Sequence, residues 1–326
     1  MNIKDKIDYP WLEEVAAGLQ ARIDHEQIPQ ALLIHGNEGT GRRALAAWFA
    51  ARILGTDPRS ILTGWETTEE EPNYHADLLH LNPEEDKKTL SVEQARTLIE
   101  QIRLTSHSGT AKIAIVYPAD AMTTSAANSL LKTLEEPPGK SVVILISESL
   151  ARLPATVISR CQRCRIPSAS LSAAGPWLES VDATVDWEPI LNFAGGAPFK
   201  AAHLQQEGFV ELNSEFAGDL ADLLARRQAP LEVARKWLDR DYMLALRWLY
   251  IQVAEQIRAH AGLEAGILLP VHLQSSATAL NMHWCYKYLQ DIDELKGLKS
   301  SGINVELNLT RLLLSWYGGF GQARGA

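Results

Sequence analysis

Cysteine is scarce: Cys161, Cys164 and Cys285 are the only three in 326 residues. An odd, sparse set argues against a disulfide framework. Structural zinc needs four N or S ligands held tetrahedrally. Residues 52–76 hold no cysteine, and His75 with His80 does not complete a site. No zinc or other metal is therefore expected. Cys161-Gln162-Arg163-Cys164 spells C-x-x-C, but no second pair and no thioredoxin-like context accompany it. Long apolar runs are also missing. None reaches 18 residues, so no transmembrane helix is expected. Met1–Lys6 leads into no apolar stretch, so a secretory signal is not expected and a cytoplasmic chain is. Positive charge is in deficit: 31 Lys and Arg against 40 Asp and Glu give −9. That balance argues against a chain that grips a nucleic-acid backbone by itself.

What is present is ordinary globular composition, 46% hydrophobic and 22% charged, in a length that fits about two or three domains. Trp11, Leu12, Val15, Leu19 and Ile23 recur at helical spacing within 11–30. Ala31–His35 is a short apolar run, read as a buried parallel strand, and residues 43–54 read as a helix. Gly55–Tyr74 is acidic and patternless, read as an irregular insertion. Strands follow at 77–81, 112–117, 142–147 and 164–166. Ser91 with Gln94 forms a capping box that opens a helix to about Leu104. A second helix, 124–136, is stopped by Pro137-Pro138, and 153–160 reads as a short one. Strands alternating with helices imply a parallel α/β sheet. Beyond Pro167 only helical patterns remain: short pieces within 168–206, then 209–226, 231–239, 241–261, 271–290 and 303–317. Gly318–Gly321 reads as a loose tail.

The strand-to-helix turn after His35 carries Gly36-Asn37-Glu38-Gly39-Thr40-Gly41-Arg42-Arg43. A phosphate loop reads G-x-x-x-x-G-K-[ST]: its amides cradle phosphates, the Lys reaches them and the hydroxyl binds Mg²⁺. Gly36, Gly39 and Gly41 keep the frame, while Arg42 replaces the Lys and Arg43 the hydroxyl residue. A guanidinium has no acceptor and cannot ligate Mg²⁺. Two readings remain: a loop that holds an anion, or a glycine turn with no ligand.

Asn128-Ser129-Leu130-Leu131-Lys132-Thr133-Leu134-Glu135-Glu136-Pro137-Pro138, followed by Ser159-Arg160-Cys161, resembles the clamp-loader branch of the AAA+ ATPases. Tyr9-Pro10-Trp11-Leu12 and Leu309-Thr310-Arg311-Leu312-Leu313-Leu314 extend the resemblance to both ends. It implies an AAA+ phosphate-loop module over 1–167, a small helical lid over 168–206 and an all-α collar over 207–326. It also implies a place in a five-membered ring with gamma- or tau-type ATPase subunits and a delta-type subunit. Such a ring loads a sliding clamp onto primed DNA within a DNA-directed DNA polymerase holoenzyme. In a non-hydrolysing stator of this branch, the Ser-Arg-Cys arginine reaches ATP held by the adjacent subunit. That role falls on Arg160, with Ser159 and Cys161 as its motif.

Further departures support the stator over the alternative, an ATP-hydrolysing motor subunit. The strand at 112–117 ends in Pro118-Ala119, where an ATPase places metal-binding acids; Asp120 comes two residues late and is read as a helix cap. Ser147 occupies the place of a polar sensor, and Phe199-Lys200 that of the lid's sensor arginine. Other family members commonly carry a four-cysteine zinc module that 52–76 does not provide. Arg152, Arg160, Arg163 and Arg165 make a basic cluster that could face a phosphate, DNA or solvent. The nine tryptophans are assigned to packing.

Overall fold

Three apolar runs become the middle of a parallel sheet, because each is covered on both faces and leaves no side free for water. The computed structural model describes residues 7–66, 75–84, 87–109, 111–240, 242–262, 281–297 and 304–321. Its strands are β1 (Ala31–His35), β2 (Leu78–Leu81), β3 (Lys112–Val116), β4 (Ser141–Ser147) and β5 (Gln162–Arg165), in the order β2-β3-β4-β1-β5. Every pairing is parallel. In register, Leu33 lies beside Leu145 and Ile34 beside Ile146, while Ala114 lies beside Val143. Leu32, Leu33, Ile34, Ile113, Ile115, Ile144, Leu145 and Ile146 are fully buried. Each such side chain contributes about 1.5–3 kcal/mol relative to exposure. The edges differ: β5 turns Arg163 and Arg165 outward, and charge on an edge discourages further strand pairing.

The first helices are α1 (Glu13–Asp24), α2 (Arg42–Leu54), α3 (Pro58–Glu66), α4 (Val92–Ile102), α5 (Thr124–Glu135) and α6 (Ala155–Ile158). The capping box forms as read: the Gln94 amide donates to Ser91 Oγ at 3.3 Å, and the Ser91 amide to Gln94 Oε1 at 3.0 Å. α3 corrects the reading of 55–74 as irregular. Pro58 stands at its start, where a missing N–H costs nothing, and Ile61 is buried. Residues 67–74 of that insertion lie outside the described residues. The expected parallel α/β sheet, with a glycine loop between its first strand and the next helix, is what this region forms.

Then follow α7 (Leu171–Val181), α8 (Trp187–Phe193), α9 (Pro198–Gln206), α10 (Phe209–Leu224), α11 (Pro230–Asp239), α12 (Tyr242–His260), α13 (Met282–Gly297) and α14 (Val305–Gly321). The chain divides into two units, one of residues 1–187 with 194–202, the other of 188–193 with 203–326. The expected lid, 168–206, contributes to both. Within the second unit the described residues are helical. Trp237 and Trp248 are fully buried beside Phe216, and their indole N–H groups donate to Asp219 Oδ2 at 2.9 Å and Asn213 Oδ1 at 2.7 Å. Trp284, Tyr288 and Trp316 form a second aromatic group. Of the helix expected over 271–290, residues 271–280 lie outside the described residues. α14 runs through Gly321, so Gly318–Gly321 continues a helix instead of opening a loose tail.

Candidate functional site: two arginines at opposite ends of the sheet

The glycine loop leaves β1 at its C-terminal end and winds directly into α2. Its glycines are required by geometry. Gly39 has φ +78°, and a Cβ there would lie 2.6 Å from Lys200 Cβ. Gly41 has φ +98°, with Leu12 Cδ1 3.0 Å and Phe199 Cε2 3.2 Å from a Cβ. Either position would be strained with any side chain. The loop is also tied down from outside. Trp11 Nε1–H donates to the Thr40 carbonyl at 2.8 Å, Thr40 Oγ1–H to the Asn37 carbonyl at 2.7 Å, and the Phe199 amide to the Gly39 carbonyl at 3.0 Å. Lys200 Nζ reaches Glu38 Oε2 at 2.8 Å. Thus the position expected for a lid sensor holds a phenyl ring and a lysine engaged with a loop carboxylate. Phe199, Tyr9, Trp11 and Trp177 pack edge-on or tilted, with centroids 4.9–6.2 Å apart.

Arg42 and Arg43 occupy the first turn of α2. Arg42 is 7% exposed, and its Nη1 has no hydrogen-bond partner. The Arg43 guanidinium lies over the Tyr117 ring at 5.5 Å. Next to it, His80 is pushed down to about 4, first by burial and then by the Arg43 charge. A cavity of about 300 Å³ opens between Tyr9, Glu38, Gly41, Arg42, Tyr117 and Phe199.

The expected cap role of Asp120 is corrected. Asp120 Oδ1 accepts from the Glu148 amide at 3.1 Å and Oδ2 pairs with Arg152 at 3.5 Å, while Thr123 caps α5 by accepting from the Ala126 amide. A carboxylate held between the ends of neighbouring strands is a brace. Ser147, at the end of β4, is buried and donates from Oγ to the Ser149 carbonyl at 3.2 Å.

Arg160 lies at the other end. It precedes β5, whose Gln162 pairs with Leu32 near the start of β1, so it sits at the N-terminal edge of the sheet. The loop lies past the C-terminal edge. This chain's Arg160 therefore cannot serve its own loop. Its Nε donates to Glu135 Oε2 at 3.1 Å and its Nη1 to the Thr156 carbonyl at 3.1 Å. Ser159 Oγ donates to the Thr156 carbonyl at 3.1 Å. The four arginines of the expected basic cluster are divided. Arg152 braces Asp120, Arg160 holds Glu135, and Arg163 and Arg165 line β5, where after burial they depress His35. Burial pushes the Cys161 and Cys164 thiols up to about 11, which suppresses thiolate chemistry.

Among the described residues no group of three or more His, Cys, Asp or Glu could hold a metal ion, and no helix is long and apolar enough to cross a membrane. Sequence reasoning missed the aromatic group, since Tyr9, Trp177 and Phe199 come from distant segments. It also missed the burial of Arg42.

A family model described as DNA polymerase III, delta subunit matches residues 11–170. A DNA polymerase III subunit delta' from Pseudomonas aeruginosa is 33% identical over 248 residues, covering 74% of each chain. The subunit of the same name from Haemophilus influenzae is 29% identical, covering 94% of this chain and 97% of its own. That from Escherichia coli is 28% identical and covers 94% of each.

Proposed function

The chain belongs to the DNA polymerase III delta' family, and on that premise we propose that it is a non-hydrolysing stator of a clamp loader that donates Arg160 to ATP on a neighbouring subunit. The carrying observation is the separation of the two ends of the sheet. The loop end lacks metal-binding chemistry, with Arg43 in the hydroxyl position and Pro118-Ala119 after β3. The far end presents an arginine on a short turn, engaged by a partly exposed carboxylate.

Glu135 holds the guanidinium folded back. An exposed ion pair of this kind contributes ~0.2–1 kcal/mol, so a neighbour's triphosphate outcompetes it readily. Released, the planar fork gives N–H donors to oxygens on which charge develops as the terminal phosphoryl transfers. The ATP is the partner's cofactor, and this chain supplies the donor. The ring, the gamma- or tau-type and delta-type partners, the sliding clamp, primed DNA and the cytoplasm are parts of the same proposal. The coverage of Haemophilus and Escherichia delta' chains over almost their whole length supports them.

Phosphate release by the isolated chain tests the reading. No turnover with ATP–Mg²⁺ is expected, while the reconstituted complex hydrolyses ATP and loses rate with Arg160→Ala. Turnover by the isolated chain that survives Arg160→Ala would instead establish a motor subunit.

A further inference from the structure

The backbone under Arg160 is held by more than the arginine's own contacts. Helix α6 has four residues, Ala155–Ile158. A helix so short draws its stability from packing and not from its own hydrogen bonds. The packing here is an apolar stripe. Leu153, Val157 and Cys161 recur every four residues and join one core cluster with Leu130 and Leu134 of α5. Leu153 and Val157 are buried, and Cys161 is partly so. Arg160 stands between the last two members of the stripe. Its amide donates to the Val157 carbonyl at 3.1 Å, and the Cys161 amide to the Ile158 carbonyl at 3.4 Å. Gln162, next in line, already lies on the sheet beside Leu32. Cys161 thus fixes the backbone between the arginine and β5. Helix α5 also supplies Glu135, the residue after Leu134, whose Oε2 accepts from Arg160 Nε at 3.1 Å. One helix therefore sets both where the arginine's backbone sits and where its guanidinium rests.

A thiol suits this seat, because free cysteine packs as a small apolar side chain with only a weak donor. The Cys161 thiol makes no hydrogen bond with a described residue, and burial pushes it up to about 11, so it stays neutral. A hydroxyl in its place would meet a cluster of apolar side chains that offer it no partner, and would turn toward water. We propose that Cys161 is a positioning residue for Arg160: packed with Val157 into the core that α5 lines, it fixes the point on the sheet edge from which the guanidinium reaches a neighbouring subunit's ATP. This rests on the reading of Arg160 given above. Cys161 meets no nucleotide itself and acts only through the arginine. Misplacing a transition-state contact by about 1 Å can cost on the order of 10²-fold in rate, and a partial shift costs less.

Clamp-stimulated ATP turnover by the reconstituted complex tests it, with Cys161→Ser, Cys161→Ala and Arg160→Ala singly and Cys161→Ser combined with Arg160→Ala. Cys161→Ser should lower kcat at the site Arg160 serves roughly tenfold, with KM for ATP within about twofold and ring assembly intact. Cys161→Ala, small and apolar, should keep kcat within about threefold. In the Arg160→Ala background Cys161→Ser should change nothing further, because nothing is left to position. If the serine chain does not fold, Cys161→Leu, apolar but oversized, takes its place with the same expected fall. Unchanged kcat in Cys161→Ser, an equal fall whether or not Arg160 is present, or a loss confined to melting temperature and assembly would overturn the inference. The two readings separate cleanly. A slow Arg160→Ala complex beside a fast Cys161→Ser one removes the positioning role alone, whereas a fast Arg160→Ala complex removes the role of Arg160 and this inference with it.

Discussion

Arg42 and Arg160 stand at opposite ends of one sheet and in opposite circumstances. Arg42 is 7% exposed with Nη1 unpartnered, on a loop fixed by Trp11, Phe199 and Lys200. Arg160 is partly exposed, engaged by Glu135 and Thr156, on a turn between a four-residue helix and an edge strand. On the proposed reading, the glycine loop keeps its frame without the residues that would hold a metal, while the far turn offers its arginine to a neighbour. The loop end is tied down by contacts from Trp11, Phe199 and Lys200. The end with weak, breakable contacts can give a side chain away.

The sharpest way to break this comparison is Arg160→Ala in the assembled complex. Turnover at the site it serves should fall on the order of 10³-fold, measured as clamp-stimulated ATP hydrolysis, with ring assembly and the chain's own melting unchanged. Lysine at 160 should not restore the rate, because a point charge does not reproduce the planar fork.

Asp77, just before β2 at Arg160's end, offers the next largest effect. It is fully buried and accepts from Ser106 Oγ, the His107 amide, the Ser108 amide and Ser108 Oγ. Burial raises its proton affinity, but those donors, led by Ser108, hold it well below the usual carboxylate range. Asp77→Ala should cost about 3 kcal/mol in denaturant unfolding, by removing the charged acceptor of four hydrogen bonds. An effect under ~1 kcal/mol would show that the 106–108 loop is not braced this way.

At the loop end, His80 predicts an acid response. Burial, and then Arg43, push its folded value to about 4, below the ordinary 6.5. As pH falls the unfolded chain takes up the proton first, so the stability from this group is complete above pH 6.5. It is lost as pH falls from 6.5 to about 4, by about 2–3 kcal/mol in all, allowing for partial solvent contact. His80→Gln should flatten the unfolding free energy over that window. The smallest effect is expected from Glu135→Gln: less than ~1 kcal/mol in stability, with a slight gain in turnover of the complex as Arg160 is freed.

The sheet was legible because Ala31–His35, Lys112–Val116 and Ser141–Ser147 are apolar apart from a polar residue at one or both ends, as strands covered on both faces must be. The Ser91 capping box was legible because it is local. Helix α3 was not, since acidic composition masked Pro58 and Ile61. Asp120 was misread because its partners, Glu148 and Arg152, lie on the far side of β4. The loop's lost chemistry could be read from eight consecutive residues. The isolation of the Arg42 side chain could not, since it depends on what the rest of the chain leaves unpaired around it.

Trp11 has one further consequence. Its indole N–H donates to the Thr40 carbonyl in the middle of the glycine loop, and its ring touches those of Tyr9, Trp177 and Phe199. An indole emits according to the dipoles around it. A shift of that carbonyl, or of the rings on the cavity wall, would change both its emission wavelength and its quenching. The loop thus carries its own optical reporter: the part of the emission that Trp11→Phe removes, against the other eight tryptophans, follows movement of the loop without an attached dye.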